Sequence, residues 1–351
     1  MQAQKNQFIG CDKEYREADT VLFGAPYDST TSFRPGTRFG PAAMRMESFG
    51  IETYSPLQGR DLVDDAKVFD SGDLELPFGA PEPALELIEG RAAEILADGK
   101  RPFLLGGEHL VTLGAFRAVH KKYPNVIIIH FDAHADLRED YLGNPLSHAC
   151  VLRRIHDLVG DHRIYQFGIR SGTREEFAFM KDGHVTTEPF ASTTLRRVVE
   201  ELRSCGVEEL WSCGVEKLRS CGVEELRSCG VEELRSCGVG ELRSALGSST
   251  SQPLNLSTSQ LLNFSTSQPT TSQPIYLTID LDVLDPSEFP GTGTQEAGGF
   301  RYPQLVNDIR LICSRLNVVA LDNVELNPGL DPTGRSTALA CKFLRECLLA
   351  L

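Results

Sequence analysis

An α/β fold with a central, mainly parallel sheet, interrupted by one low-complexity insertion, is what this sequence predicts. Three observations carry that prediction. Short apolar runs alternate with longer amphipathic stretches, which is the order of β-α-β units. Several of the short runs end in ionisable residues, and open parallel sheets gather their chemistry beyond the carboxyl ends of the strands. Between two of the runs an eight-residue repeat breaks the alternation.

In chain order the strand candidates are VLFGAP at 21–26, AKVFDSG at 66–72, RPFLLGG at 101–107, NVIIIHF at 125–131, RIYQFGIRSG at 163–172, IYLTIDLD at 275–282 and VVALDNVELNP at 318–328. The amphipathic stretches long enough for helices are PALELIEGRAAEILADG at 83–99, HLVTLGAFRAVHKKY at 109–123, YPQLVNDIRLICSRLN at 302–317 and STALACKFLRECLLAL at 336–351. Strands and helices take turns along the whole chain outside the repeat.

The repeat reads LRSCGVEE, LWSCGVEK, LRSCGVEE, LRSCGVEE, LRSCGVGE from Leu202, then STSQPLNL, STSQLLNF, STSQPTTSQP from Ser249. Eight residues advance about 800° round an α-helix, so no apolar stripe persists, and each of the first units also holds a helix-weakening Gly. The unit is too short for a solenoid, and a Cys every eighth residue does not match zinc-ligand spacing. The expected organisation is one domain from residues 1–201 and 275–351, with 202–274 as a low-complexity surface excursion. Suitable codons for EELRSCGV, read on the opposite strand, encode NSTTSQLL, which agrees with Asn255–Leu262 at six of eight positions. The second tract therefore reads as an inverted DNA copy of the first.

Composition narrows the class. The 351 residues, 41% hydrophobic and 24% charged, suit a globular domain, and no apolar run approaches the roughly 18 residues of a membrane helix. A net charge of −14, with 35 scattered Lys and Arg, argues against a nucleic-acid groove and favours a cationic partner by steering. The N-terminus has no signal or transit pattern, which gives a cytoplasmic expectation. Five of the ten Cys belong to the repeat and the rest are dispersed, so reduced thiols are expected.

The stretch HFDAHADL sets His130, Asp132, His134 and Asp136 at alternate positions just after an apolar run. If the chain stays extended there, Asp132, His134 and Asp136 project to one side about 6.6 Å apart and can converge on one point. IYLTIDLD likewise puts Tyr276, Thr278, Asp280 and Asp282 on one face, opposite Ile275, Leu277, Ile279 and Leu281. The strand that ends in Gly106-Gly107-Glu108 delivers His109 to the same edge. Four carboxylates gathered without cations would repel one another and raise each other's pKa. Two His and four Asp with no Cys favour a hard or borderline octahedral divalent ion such as Mn2+. His130 reads as a packing residue or a support for a ligand, and Glu108 as either a support for a ligand or an exposed residue at a helix start.

Taken in order, GGEH, DAHAD, SHAC, DLDVLDP and VELNP resemble the ureohydrolase family, which includes arginases and agmatinases. GAPYDSTTSFRPGTRFGP and GTGTQEAGG resemble its agmatinase-type members. The resemblance implies a three-layer α/β/α fold and a binuclear manganese centre. His109, Asp132, Asp136 and Asp280 would hold one ion, and Asp132, His134, Asp280 and Asp282 the other. It further implies attack of metal-activated water on a guanidinium carbon. Asp136 would pass a proton to the leaving amine, His148 of SHAC would shuttle a proton or position substrate, and Glu325 of VELNP would orient the guanidinium. LREDYLGNPLSHAC stands where arginases carry a loop for the amino-acid end of arginine, which points to agmatine as the small cationic substrate, with putrescine and urea as products. Guanidinobutyrate or arginine, or a catalytically impaired metal-binding relative, are the alternatives, and trimers or hexamers are the assembly that the resemblance implies. If the repeat arose by inversion, the nucleotide sequences encoding its two tracts are complementary; sequencing the locus checks this, and unrelated nucleotide sequences would contradict it.

Overall fold

The computed structural model describes residues 7–204 and 273–351. Among the described residues, ten strands run β1 Thr20–Ala25, β2 Tyr54–Ser55, β3 Arg60–Asp61, β4 Val68–Asp73, β5 Arg101–Gly106, β6 Ile127–Phe131, β7 Ile164–Ile169, β8 Thr186–Pro189, β9 Pro274–Asp280 and β10 Asn317–Val324. Eight of them form one sheet in the order β4-β1-β5-β10-β9-β6-β7-β8, and every pairing in it is parallel. β2 and β3 make a separate antiparallel pair.

Among the described residues, eight helices pack round the sheet: α1 Gly40–Glu47, α2 Leu62–Asp65, α3 Pro81–Ala97, α4 Val111–Lys122, α5 Val151–Val159, α6 Arg174–Lys181, α7 Tyr302–Arg315 and α8 Arg335–Ala350. A further helical stretch covers 195–204. Because strand side chains alternate between faces, the sheet divides two cores. Leu22, Phe103, Ile129, Leu277 and Leu321 face one core with residues of α7 and α8. Val21, Leu104, Ile128, Tyr276 and Ala320 face the other, with residues of α3, α4 and α5. This is the expected three-layer α/β/α arrangement, with a sheet that is wholly rather than mainly parallel.

Topology places the site. The chain builds outward through β6, β7 and β8, then returns to lay β9 and β10 between β5 and β6. The carboxyl ends of β5, β10, β9 and β6 thus lie side by side, although the segments that follow them are far apart in sequence.

The repeat tract lies outside the described residues, but its two edges do not. Leu202 is buried in the core with Leu195, Val198 and Val199 of the stretch 195–204. Pro274 is the first residue of β9, where the missing N–H costs least, and aligns with Asn317. Loop closure costs only about 0.6 kcal/mol for each doubling of length. Replacing residues 205–272 by a short Gly-Ser linker is therefore expected to preserve a cooperative thermal transition followed by circular dichroism; loss of that transition would show the tract to be structural.

Candidate metal centre

His109 reaches the sheet edge through a constraint on its neighbour. A Cβ at Gly107 would lie 1.9 Å from the backbone oxygen of Tyr27, so only glycine lets the chain pass from β5 to α4 there. The imidazole that follows is fully buried. Tyr276 and Thr278 donate their hydroxyl protons to the two oxygens of Asp322, each at 2.7 Å. With its proton so committed, the Thr278 oxygen accepts from His109 Nε2 at 3.0 Å. In the neutral ring the lone pair of His109 is then on Nδ1, which is buried without a hydrogen-bond partner. It faces Asp136 Oδ2 at 3.0 Å, Asp132 Oδ2 at 3.1 Å and Asp280 Oδ2 at 3.5 Å.

The next three residues come from the end of β6. Asp132 Oδ1 accepts from the backbone N–H of His134 at 2.6 Å, which bends the chain, and His134 then bridges to Ser171. His134 Nδ1 lies 2.9 Å from Asp282 Oδ2 and 3.5 Å from Asp132 Oδ1. Asp136 does not arrive by simple extension as the sequence spacing suggests. Its φ of 53° is left-handed, and its carbonyl accepts from Leu152 and Arg153 near the start of α5. A non-glycine residue in that region stores strain that the surroundings must hold, a common mark of functional positions. Asp280 and Asp282 follow on from β9: Asp280 Oδ1 accepts from the Asp282 N–H at 2.8 Å, and Asp282 Oδ1 from the Ala133 N–H at 3.2 Å. The structure brings all six expected ligands to one place.

His130 supports this group as a donor. Gln166 accepts from Thr187 through Oε1, so Nε2 is its donor end, directed to the Ala135 carbonyl at 2.8 Å and to His130 Nδ1 at 3.1 Å. His130 Nδ1 therefore accepts, and Nε2–H donates to Asp132 Oδ2 at 2.8 Å.

Electrostatics show what the cluster lacks. Burial and the charges of Asp282, Asp132 and Glu325 push Asp280 well above the usual carboxylate range. Burial, with Asp132 adding to it, also raises Asp282. Burial would raise Asp132 too, but His130 and His109 outweigh it and hold the group well below its ordinary value. Burial would lower His109 and His134, yet the facing carboxylates hold both well above theirs. Such mutual shifts mark a site that needs added positive charge. A buried imidazole nitrogen without a hydrogen-bond partner, facing three carboxylates, fits divalent cations that take nitrogen and oxygen donors and displace a proton from the ring.

Glu325 follows β10 with a left-handed φ of 64°. Its N–H donates to the Gly107 carbonyl at 2.9 Å, and Oε1 accepts from the His109 N–H at 2.8 Å. His148 Nε2 accepts from the Ser32 N–H at 3.1 Å, which places its proton on Nδ1, 3.7 Å from Glu325 Oε1. Burial lowers the His148 pKa, but Glu325, Asp136 and Glu108 raise it more. Glu108 is buried rather than exposed. It accepts from Thr30 and Thr31, while Thr30 Oγ1 accepts from the His148 N–H at 3.0 Å. Glu108 thus ties the loop after β1 to His148, an indirect support.

A cavity of about 510 Å3 opens over these groups, lined among others by His134, Asp136, His148, Asp280, Glu296 and Glu325. Glu296 Oε1 is 3.9 Å from His134 Nε2, and Arg170 donates to the Glu296 and Asp282 carbonyls at 2.9 and 2.8 Å. Sequence reasoning missed Asp322, Gln166 and Glu296. A signal existed only for Asp322, an acid inside the apolar run VVALDNV.

The arginase-family model matches residues 18–208 and 255–350. The agmatinases of Halalkalibacterium halodurans and Bacillus subtilis are each 38% identical to the chain over 97% of it and 95% of their own length. The guanidinobutyrase of Pseudomonas aeruginosa is 31% identical over 95% of the chain and 86% of its own. Among solved structures, a Clostridium difficile protein assigned as an agmatinase superposes with a TM-score of 0.74 at 39% identity, covering 96% of this chain and 98% of that one. The agmatine ureohydrolase of Thermoplasma volcanium gives 0.71 at 27% identity, covering 99% and 95%.

Replacing Thr278 by Val keeps the volume but removes the acceptor that fixes the His109 tautomer. Half-maximal activation is expected to need about 10- to 100-fold more metal, with the fold intact; an unchanged metal requirement would contradict the role given to Thr278.

Proposed function

The chain belongs to the arginase family as an agmatinase-type ureohydrolase, and on that premise we propose that it hydrolyses agmatine to putrescine and urea with two manganese ions. The observation that carries this reading is the buried His109 Nδ1 facing Asp132, Asp136 and Asp280. His109, Asp132, Asp136 and Asp280 would hold one ion, and Asp132, His134, Asp280 and Asp282 the other. When bound, the cations lower the pKa of water enough to give a nucleophile at neutral pH and offset the carboxylate charge.

The side chains do the rest. Glu325 lines the cavity and orients the guanidinium by charge-assisted hydrogen bonds. Asp136 lies where it can return a proton to the leaving amine, and the His148 Nδ1 proton, directed at Glu325, relays to the same region. Holding the guanidinium carbon over the site converts hydrolysis into an effectively unimolecular step.

At the far end of the substrate, the distal charge separates agmatine from guanidinobutyrate. Arg138 also lines the cavity, but it is engaged with Glu176 at 3.6 Å and lies over the Tyr141 ring at 5.1 Å. Glu296 is 40% exposed at its side chain, with His134 Nε2 at 3.9 Å. Its carboxylate suits an ammonium group and opposes a carboxylate-ended substrate.

Urea release in the presence of manganese is expected to show agmatine with the highest kcat/KM, ahead of guanidinobutyrate and arginine. Glu296→Gln is expected to lower kcat/KM for agmatine roughly fivefold, the scale of one half-exposed ion pair, and to narrow the gap to guanidinobutyrate. A native enzyme that prefers guanidinobutyrate would overturn the substrate assignment.

A further inference from the structure

A second set of metal-ligating side chains lies at the opposite edge of the sheet. His156 sits in the last turn of α5, Asp161 in the turn between α5 and β7, and His184 two residues before β8. They are therefore at the amino ends of β7 and β8, whereas the residues of the catalytic cavity follow carboxyl ends. We propose that His156, Asp161 and His184 bind a single divalent transition cation of the zinc type.

The geometry is convergent. His156 Nε2 and His184 Nδ1 each lie 2.8 Å from the same oxygen, Asp161 Oδ1. The three donor atoms are all within 4.8 Å of one another. A purely structural tie could use both carboxylate oxygens; here two rings aim at one. With zinc–ligand lengths near 2.0 to 2.2 Å, tetrahedral donors stand roughly 3.3 Å apart, so each His–Asp161 separation would open by about half an ångström round the ion. Water would complete the coordination.

The donors are also held in place. Gly160 and His162, on either side of Asp161, both have left-handed φ, 74° and 63°, which turn the carboxylate back toward the helix. The His162 N–H donates to the His184 carbonyl at 3.2 Å. Phe179 stacks on His184 with ring centres 4.3 Å apart and meets His156 edge-on at 4.9 Å. One phenyl ring thus fixes both imidazoles, and a nonpolar wall behind the donors strengthens coordination.

The test is a zinc titration by calorimetry on the full-length, manganese-loaded protein, with manganese content followed throughout. Native protein is compared with His184→Ala and with Asp161→Asn. The thiols of the repeat are common to all three forms, so the readout is the difference between them. Native protein is expected to take up one more zinc per chain than His184→Ala, with at least tenfold weaker binding at this site in Asp161→Asn and the same urea release and melting temperature before zinc is added. Equal zinc uptake and affinity in native protein and both variants would overturn the proposal. The catalytic reading is untouched by either result, because neither variant alters the catalytic cavity.

Discussion

Four buried carboxylates at one sheet edge, Asp132, Asp136, Asp280 and Asp282, impose the constraint on which the rest of the structure depends. Placed this close in a low-dielectric interior they repel, and Asp280 is pushed far from its ordinary ionisation. Imidazoles from His109, His130 and His134 offset part of that charge. His130 does so as a fixed donor, while His109 and His134 turn ring nitrogens inward. A fold keeps such a cluster when its charge is completed by ions, and here those ions are also the source of the proposed chemistry.

Holding six donors in one geometry requires a rigid frame, which the parallel sheet provides. The four adjacent strands β5, β10, β9 and β6 deliver the proposed ligands, Glu325 and the Asp322 support. Behind the centre runs a polar line from His109, just past β5, through Thr278 to Asp322 and Tyr276 within β9 and β10. It determines which nitrogen of His109 carries the proton. In front, the loop after β1 is anchored by Glu108 and in turn positions His148. The support therefore comes from both sides, and left-handed backbone at Asp136 and Glu325 is held in place by hydrogen bonds to α5 and Gly107.

Much of this was legible in the sequence, for local reasons. Alternation along IYLTIDLD placed Asp280 and Asp282 opposite Ile279 and Leu281 because strand period is local, and the structure keeps that division along β9 as far as Asp280, where a 3-10 turn over Leu281–Val283 takes over. DAHAD announced a ligand group, but its left-handed step at Asp136 depends on α5 and could not be read from spacing. Strand order was not legible: the return of β9 and β10 to the middle of the sheet is decided by burial on both faces, which no short stretch records. Glu325 stood out only through the family resemblance, since a Glu before Asn-Pro has no distinctive pattern. The donor role of His130 was hidden for a similar reason, because it is set by Gln166 from the neighbouring strand. The edges of the repeat needed packing too: Leu202 carries the repeat's motif yet belongs to the core.

The central claim is that the carboxylate cluster exists to hold two divalent ions. Metal analysis of the dialysed, manganese-loaded protein tests it most directly. Two manganese per chain are expected in the native protein and fewer in Asp132→Ala and Asp280→Ala, each of which removes a carboxylate that the proposal assigns to both sites. A native protein that retains no manganese, or variants that still retain two, would contradict the account.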